Sequence, residues 1–318
     1  MSLPTLDKEW VFTEVNQEIN ELTNADLIKT TWLTIKNSLK TLGWVVRGSS
    51  NGVVANTNDN WTTISDLVFS SGSHSWIVMS NTALSIEICI DFDSSTVYYF
   101  DFWLARSSYN LGSPSISAKP TATYEWQIYA GETFISSTTL KTNVHILSSN
   151  EASPHCTIVM VCNAQDSSYG YTCTYFIFNK PKNVSENWVN PCVLLTENNY
   201  SNGPTQEHYT TKSDNFLFHS TNKYNFYCTG ETVDGGLIVN RINGFPADLS
   251  STGGKVFSPI GIFCDEVGAR GSNGVIQDLW WGPLHDAIGT LYSSTSKTFL
   301  KVGDLIVPWD GVSIPKLA

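Results

Sequence analysis

Three groups of residues in this chain have the types needed for chemistry. His155 stands beside Cys156, with Cys162 and Cys173 following. Imidazole nitrogen and thiolate sulfur are the ligands of tetrahedral zinc. The spacing matches no zinc module, however, and alternation along a strand is expected to divide the four ligands between two faces. Asp91, Asp93 and Asp101 form the second group. Carboxylates of this kind hold calcium, or act in pairs on glycosidic bonds. The run Asp-Phe-Asp-Ser-Ser at 91–95 reads more simply as a strand leaving into a turn, where Asp and Ser are favoured. The third is His74 in Gly-Ser-His-Ser-Trp, which reads as a hydrogen-bonded turn or strand-start residue rather than a general base. There is no G-x-S-x-G elbow, P-loop, H-E-x-x-H or G-x-G-x-x-G. The expectation is therefore a protein that is not an enzyme, with no cofactor and no metal. Asn60-Trp-Thr, Asn183-Val-Ser and Asn199-Tyr-Ser match glycosylation sequons, which matter only in a secreted chain.

Aromatic side chains remain: 11 Trp, 13 Tyr and 15 Phe, 12% of the chain. Most must fill the core. The surplus on a charge-poor framework points either to protein–protein contact, where Trp and Tyr act as anchors, or to a platform for sugar rings. The run Ile276 to Pro283 places Trp280 and Trp281 side by side before a Gly-Pro breaker. Neighbours in a strand face opposite ways, so one packs inward and the other meets a partner subunit or the N-terminal segment. The alternative is a bulge or a two-sided sheet that keeps both inside. Trp280, Trp281 and Trp309 are the candidate interface residues.

The elements that must position these residues are mainly strands. One helix is legible: Ile28, Trp32, Ile35, Leu39 and Leu42 recur at steps of four and three, predicting an amphipathic helix over 24–42. Thr23 with Asp26 resembles a capping box, and Gly43 suits a left-handed helix end. Residues 1–22 read as an N-terminal arm or a strand. Ser85–Phe92 alternates, with Ile86, Ile88, Ile90 and Phe92 on one face and Glu87, Cys89 and Asp91 on the other. The runs 97–104, 140–147, 157–162, 171–178, 224–229, 235–242, 256–263 and 299–307 are rich in β-branched and aromatic residues. Roughly ten to thirteen strands after one helix predict a mainly β fold. Its expected form is a large antiparallel sandwich or jelly-roll-like body over 23–318. The polar stretch 196–215 is expected to be a long loop or a subdomain boundary.

Bulk composition narrows the function. Only 15% of the 318 residues are charged, and the net charge is −11. With no basic cluster, nucleic acid is not an expected partner. No stretch reaches the roughly 18 apolar residues that span a bilayer, so no membrane partner is expected either. The N-terminus, Met1 to Trp10, lacks a basic-then-apolar signal pattern, and the chain reads as made in the cytoplasm. Seven cysteines, an odd number set mostly in apolar runs, read as free buried thiols.

A series of motifs completes the reading. Trp32, Ile35, Lys36, Asn37 and Leu39 precede Gly43-Trp44, Val46, Ser49-Ser50 and Gly52. Asp59, Trp61, Asp66-Leu67 and His74 to Val78 follow, then Lys119 to Thr123 with Glu125. Near the end stand Asp278 to Gly282 and Gly303 to Gly311. This series resembles poorly characterised structural proteins of tailed bacteriophages and prophages. The likeness spans 7–52, 59–78, 119–125 and 276–311, and the stretch 130–275 adds little. It implies a virion component assembled in the bacterial cytoplasm, in the tail, neck or baseplate, or decorating the capsid. Its partners would be copies of itself and other virion proteins. A carbohydrate- or receptor-binding module contacting a host surface glycan is the alternative, and a glycan hydrolase a further one. The group offers no catalytic residues to carry over.

Overall fold

The computed structural model describes one helix, twenty-two strands and one 3-10 turn at Ile64–Asp66. It also describes the connecting residues 42–44, 59, 61–63, 67, 82–84, 150–155, 180–182 and 290. In chain order the elements begin with β1 (Phe12–Glu21), α1 (Asn24–Thr41), β2 (Val45–Ser50), β3 (Ala55–Asn56), β4 (Ser75–Asn81), β5 (Ile86–Phe92), β6 (Tyr99–Ser107) and β7 (Glu125–Tyr129). Next come β8 (Leu140–Ser149), β9 (Cys156–Ala164), β10 (Tyr171–Asn179), β11 (Cys192–Asn202), β12 (Thr205–Tyr209), β13 (Phe216–His219) and β14 (Asn222–Asn225). The last are β15 (Tyr227–Cys228), β16 (Thr232–Val233), β17 (Gly236–Leu237), β18 (Ser258–Cys264), β19 (Gly271–Trp281), β20 (Leu291–Ser293), β21 (Thr298–Val302) and β22 (Leu305–Trp309).

The strands form an N-terminal sheet in the order β3-β2-β4-β5-β6-β7 and a central sheet in the order β1-β8-β9-β10-β11-β13-β14, with β12 added to β11. A C-terminal sheet runs β15-β18-β19-β22-β21-β20, and β16 and β17 make a two-stranded ribbon. The described pairings are antiparallel, so the fold is mainly β with one N-terminal helix. Residues 12–21 are a strand rather than an arm: β1 pairs with β8 from Phe12↔Ser149 to Glu21↔Leu140.

Helix α1 ends as its sequence dictates. Gly43 has φ +86°, a left-handed conformation that glycine adopts without a Cβ penalty. The Gly43 amide donates to the Lys40 carbonyl and the Trp44 amide to the Leu39 carbonyl, both at 3.0 Å. These two bonds are the Schellman pattern, and they occupy carbonyls that the helix leaves open. Trp44 and Leu39 then both join the core, with the Trp44 ring against Phe178. The helix stops one residue short of the expected 42, with Leu42 packed on the core from the turn. Thr23 lies outside the described residues.

The helix is more deeply enclosed than one apolar stripe requires. Leu27, Ile28, Trp32, Ile35 and Leu39 are fully buried, but so are Thr31 and, nearly, Lys36. Thr31 tolerates this because its hydroxyl donates to the Leu27 carbonyl one turn back, at 2.8 Å. One continuous core draws on α1, on β4 and β5 of the N-terminal sheet, and on β8, β9 and β10 of the central sheet.

The central and N-terminal sheets are covered on two sides where side chains are described. In β8 and β9, Val144, Ile146, Val159 and Val161 point one way and join the helix core, while Leu147, Ile158 and Met160 point the other. All are 1% exposed or less. The same holds for β5, where alternation suggested a polar outer face: Glu87, Cys89 and Asp91 are as buried as Ile86, Ile88 and Ile90. An alternating pattern reports which residues share a face, and tertiary packing decides whether that face meets water.

Three further expectations change in detail. The run 299–307 is not one strand but two, β21 and β22, paired from Thr298↔Trp309 to Val302↔Leu305. The run 224–229 is divided between β14 and β15, which belong to different sheets. The stretch 196–215 is not one loop: β11 and β12 pair from Asn198↔Tyr209 to Asn202↔Thr205. Polar Asn- and Thr-rich strands lack the apolar alternation that marks a strand in sequence, and backbone pairing alone defines them.

Candidate functional site

The motif residues of the N-terminal third converge on a polar knot. Lys36 projects from α1, with its ammonium donating to both carboxylate oxygens of Asp59 at 2.8 and 3.0 Å and to the Trp61 carbonyl. Lys40, one turn on, reaches the same carboxylate at 2.6 Å. The Trp61 amide closes the loop onto Asp59 Oδ1 at 3.3 Å, and the Trp61 ring stands edge-on to Trp32 with centroids 6.1 Å apart. Lys36 is 1% exposed, and burial pulls its ammonium below the usual lysine range despite the hydrogen bond and charge of Asp59. Burial also pushes the Asp59 carboxyl up, but the two lysines outweigh it and hold it below the usual carboxylate range. Both shifts are downward, which disfavours the buried ammonium of Lys36 and favours the carboxylate of Asp59, because one carboxylate is served by two ammonium groups. The close geometry argues for a charged pair in which Asp59 gains more than Lys36.

Beyond the knot, the Asp66 carboxylate accepts from the backbone amides of Thr62 and Thr63 at 2.9 and 2.7 Å and from both threonine hydroxyls. Those bonds, the Thr63 amide first, hold its carboxyl at about 2. Lys36, Lys40 and Asp59 thus use their charge to tether the segment of Asp59 and Trp61 to the helix, and Asp66 uses its own to fix the turn at 62–66. That is a positioning task.

A second polar assembly joins the central and C-terminal sheets. Between β18 and β19 the register jumps from Gly261↔Val275 to Pro259↔Trp280, so β19 carries extra residues against its partner. Within this bulge Asp278 has φ +57°, a left-handed conformation in which aspartate is among the tolerated residues. A bulge re-aims what it carries. Here the Gln277 amide donates to Asn179 Oδ1 and the Asn179 amide group donates to the Gln277 carbonyl, each at 3.1 Å. Asp278, fully buried, brings Oδ2 to 3.7 Å from His155 Nε2. On its other side the His155 Nδ1–H donates to Glu151 Oε1 at 2.6 Å. His155 therefore sits between two carboxylates, and its own carbonyl accepts from the Lys180 amide. Local sequence carries no signal for this seam, whose partners lie about a hundred residues apart.

The group His155, Cys156, Cys162 and Cys173 is not brought together as a set. Cys156 and Cys162 lie on one face of β9, six residues or roughly 20 Å apart along the strand. Cys162 stands directly opposite Cys173 on β10, so alternation does not separate those two. Among the described residues, no group of three metal-ligating side chains converges, and Cys89 and Cys156 are buried free thiols. Asp91 lies within β5, 1% exposed, opposite Trp76 on one side and Asp101 on the other. It is thus an enclosed residue at the end of the strand, as the alternation of 85–92 placed it. Asp93 and His74 lie outside the described residues.

The three candidate interface tryptophans occupy different settings. Trp309 ends β22 and is 3% exposed, so the fold already encloses the ring. Trp280 is half-buried, edge-on to Phe299 at 5.7 Å, in a small cluster with Tyr292 and Ile306. Trp281 pairs in register with Ser258 and Leu305, and its side chain lies outside the described residues. Of the other tryptophans, Trp32, Trp44, Trp61 and Trp76 are buried.

Compared with known proteins, the chain matches no family model and no curated protein.

Proposed function

We propose that this chain is a non-enzymatic structural component of a tailed bacteriophage particle, acting through contacts between subunits. One observation carries the reading. The described residues of the resembling motifs do structural work: Trp32, Lys36, Asp59 and Trp61 lock a loop to a helix, and Gly43-Trp44 end that helix. Asp278 shapes a bulge that docks one sheet on another. Side chains used in this way preserve a shape, as a particle subunit requires. The low charge fraction of 15% also suits faces covered by neighbouring chains.

On this reading the N-terminal and central sheets face each other across α1 as a sandwich-like body, and copies of it repeat in the particle. Closed rings are the commonest arrangement of identical subunits. Trp281, and Trp280 with its partly open ring, are the interface anchors under this proposal, and Trp309 serves the core. The body is made in the bacterial cytoplasm and ends in the virion. The glycan-binding alternative gains nothing from the described tryptophans, since each is buried or, for Trp280, half-buried.

The test is to purify particles from a lysate of a host carrying the gene and to probe gradient fractions with antibody to this protein. Co-sedimentation with intact particles at several copies each is expected. Protein found only in the soluble fraction overturns the proposal.

A further inference from the structure

We infer that Cys162 and Cys173 form a redox-reversible cross-strand disulfide at the centre of the largest sheet. The register sets them directly opposite each other on β9 and β10. Opposed residues of an antiparallel pair have Cα atoms about 4.5 or 5.5 Å apart, depending on the hydrogen-bonding site. Both values fall within the roughly 4.4–6.8 Å that a disulfide spans. Neither strand is an edge, because β8 and β11 flank the pair. The two backbones are therefore held at this spacing whether or not the sulfurs are joined.

Across the sheet one row reads Glu18, Asn143, Cys162, Cys173, Asn199 and His208. Four residues along the same face, the corresponding row holds Leu147, Ile158 and Ile177, each 1% exposed or less. Between the two rows His145 stands opposite Met160, both 1% exposed or less, so by residue type the face passes from apolar to Glu, Asn and His along the strands. Cys156 belongs to the enclosed end and is a buried free thiol.

The step balances as thiol–disulfide exchange with a small disulfide such as oxidised glutathione. One cysteine thiolate attacks a glutathione sulfur and expels the first glutathione thiolate. The second cysteine thiolate attacks the protein-bound sulfur of that mixed disulfide and expels the other. Two protein thiols are oxidised, one glutathione disulfide is reduced, and the two thiol protons end on the two glutathione thiolates expelled. If the chain is a virion protein, the bond is open during assembly in the reducing cytoplasm and closes after release. That consequence rests on the proposed function, whereas the chemistry is tested on purified protein without any particle.

Full-length protein is reduced, freed of reductant and incubated natively with oxidised glutathione. It is then alkylated under denaturing conditions and digested with chymotrypsin, which cuts at Tyr169 and Tyr171 between the two cysteines. Tandem mass spectrometry is expected to find Cys162 joined to Cys173 with loss of two hydrogens, and Cys89 and Cys156 alkylated. Cys162→Ser should instead leave Cys173 carrying one glutathione. The urea midpoint of the wild-type chain should rise on oxidation and return with dithiothreitol, and that of Cys162→Ser should not respond. Both cysteines alkylated after oxidation, either one joined to a different cysteine, or glutathione retained on the wild-type pair would each overturn the inference.

Discussion

Trp32 and Trp280 each meet another aromatic ring edge-on, Trp61 at 6.1 Å and Phe299 at 5.7 Å. The regions around them differ in how the ring is used. Trp32 is fully buried where the helix, the N-terminal sheet and the central sheet share one core. Its neighbour Trp61 is drawn in by the Lys36–Asp59 knot, so the aromatic and ionic contacts reinforce each other. Trp280 lies half-buried over a small cluster in the C-terminal sheet, just after a bulge. Around that bulge, Asn179–Gln277 and His155–Asp278 are polar contacts to the central sheet. The comparison teaches that aromatic richness alone does not identify an interface. One region uses tryptophan as the centre of a core, and the other leaves part of a ring uncovered beside a polar seam.

The largest expected effect separates the two tryptophans. Trp32→Ala should cost about 3–5 kcal/mol of stability, the usual range for emptying a fully buried aromatic site. Trp280→Ala should cost less than half as much, because part of its ring already meets solvent. Urea unfolding of both variants checks this, and equal losses would break the distinction between core and cover.

The seam should respond locally. Asn179→Ala removes both hydrogen bonds to the Gln277 backbone, a loss of about 1–3 kcal/mol when the groups left behind are buried. Hydrogen exchange should speed up at amides of β19 with α1 still protected. Equal acceleration in α1 would mean that the two regions unfold as one unit and would sharpen the comparison the other way.

The smallest effect concerns Asp66, whose carboxyl is held at about 2 against an ordinary value near 3.9. The folded value lies below the unfolded one, so its contribution is complete above about pH 3.9 and fades as pH falls toward 2. Asp59 has the same sign through Lys36 and Lys40. Acid titration followed by carboxyl-carbon NMR should show Asp66 among the last carboxyls to take a proton. An ordinary titration would mean that the Thr62 and Thr63 bonds are not maintained in solution.

Local chemistry was enough for several features. The 3.6-residue recurrence from Ile28 to Leu39 defined α1, and Gly43 ended it, because helix period and left-handed glycine are properties of neighbouring residues. Ile86 to Phe92 was legible as a strand for the same reason. Local pattern could not say what lies over a face. Burial of Glu87 and Asp91 depends on packing from distant elements, and so does the enclosure of Trp309. The meeting of His155 with Asp278, and the register that sets Cys162 opposite Cys173, depend on strand order, pairing and a bulge. Backbone pairing is chemically uniform along a strand, so tertiary packing must choose among registers. That choice places the side chains opposite one another.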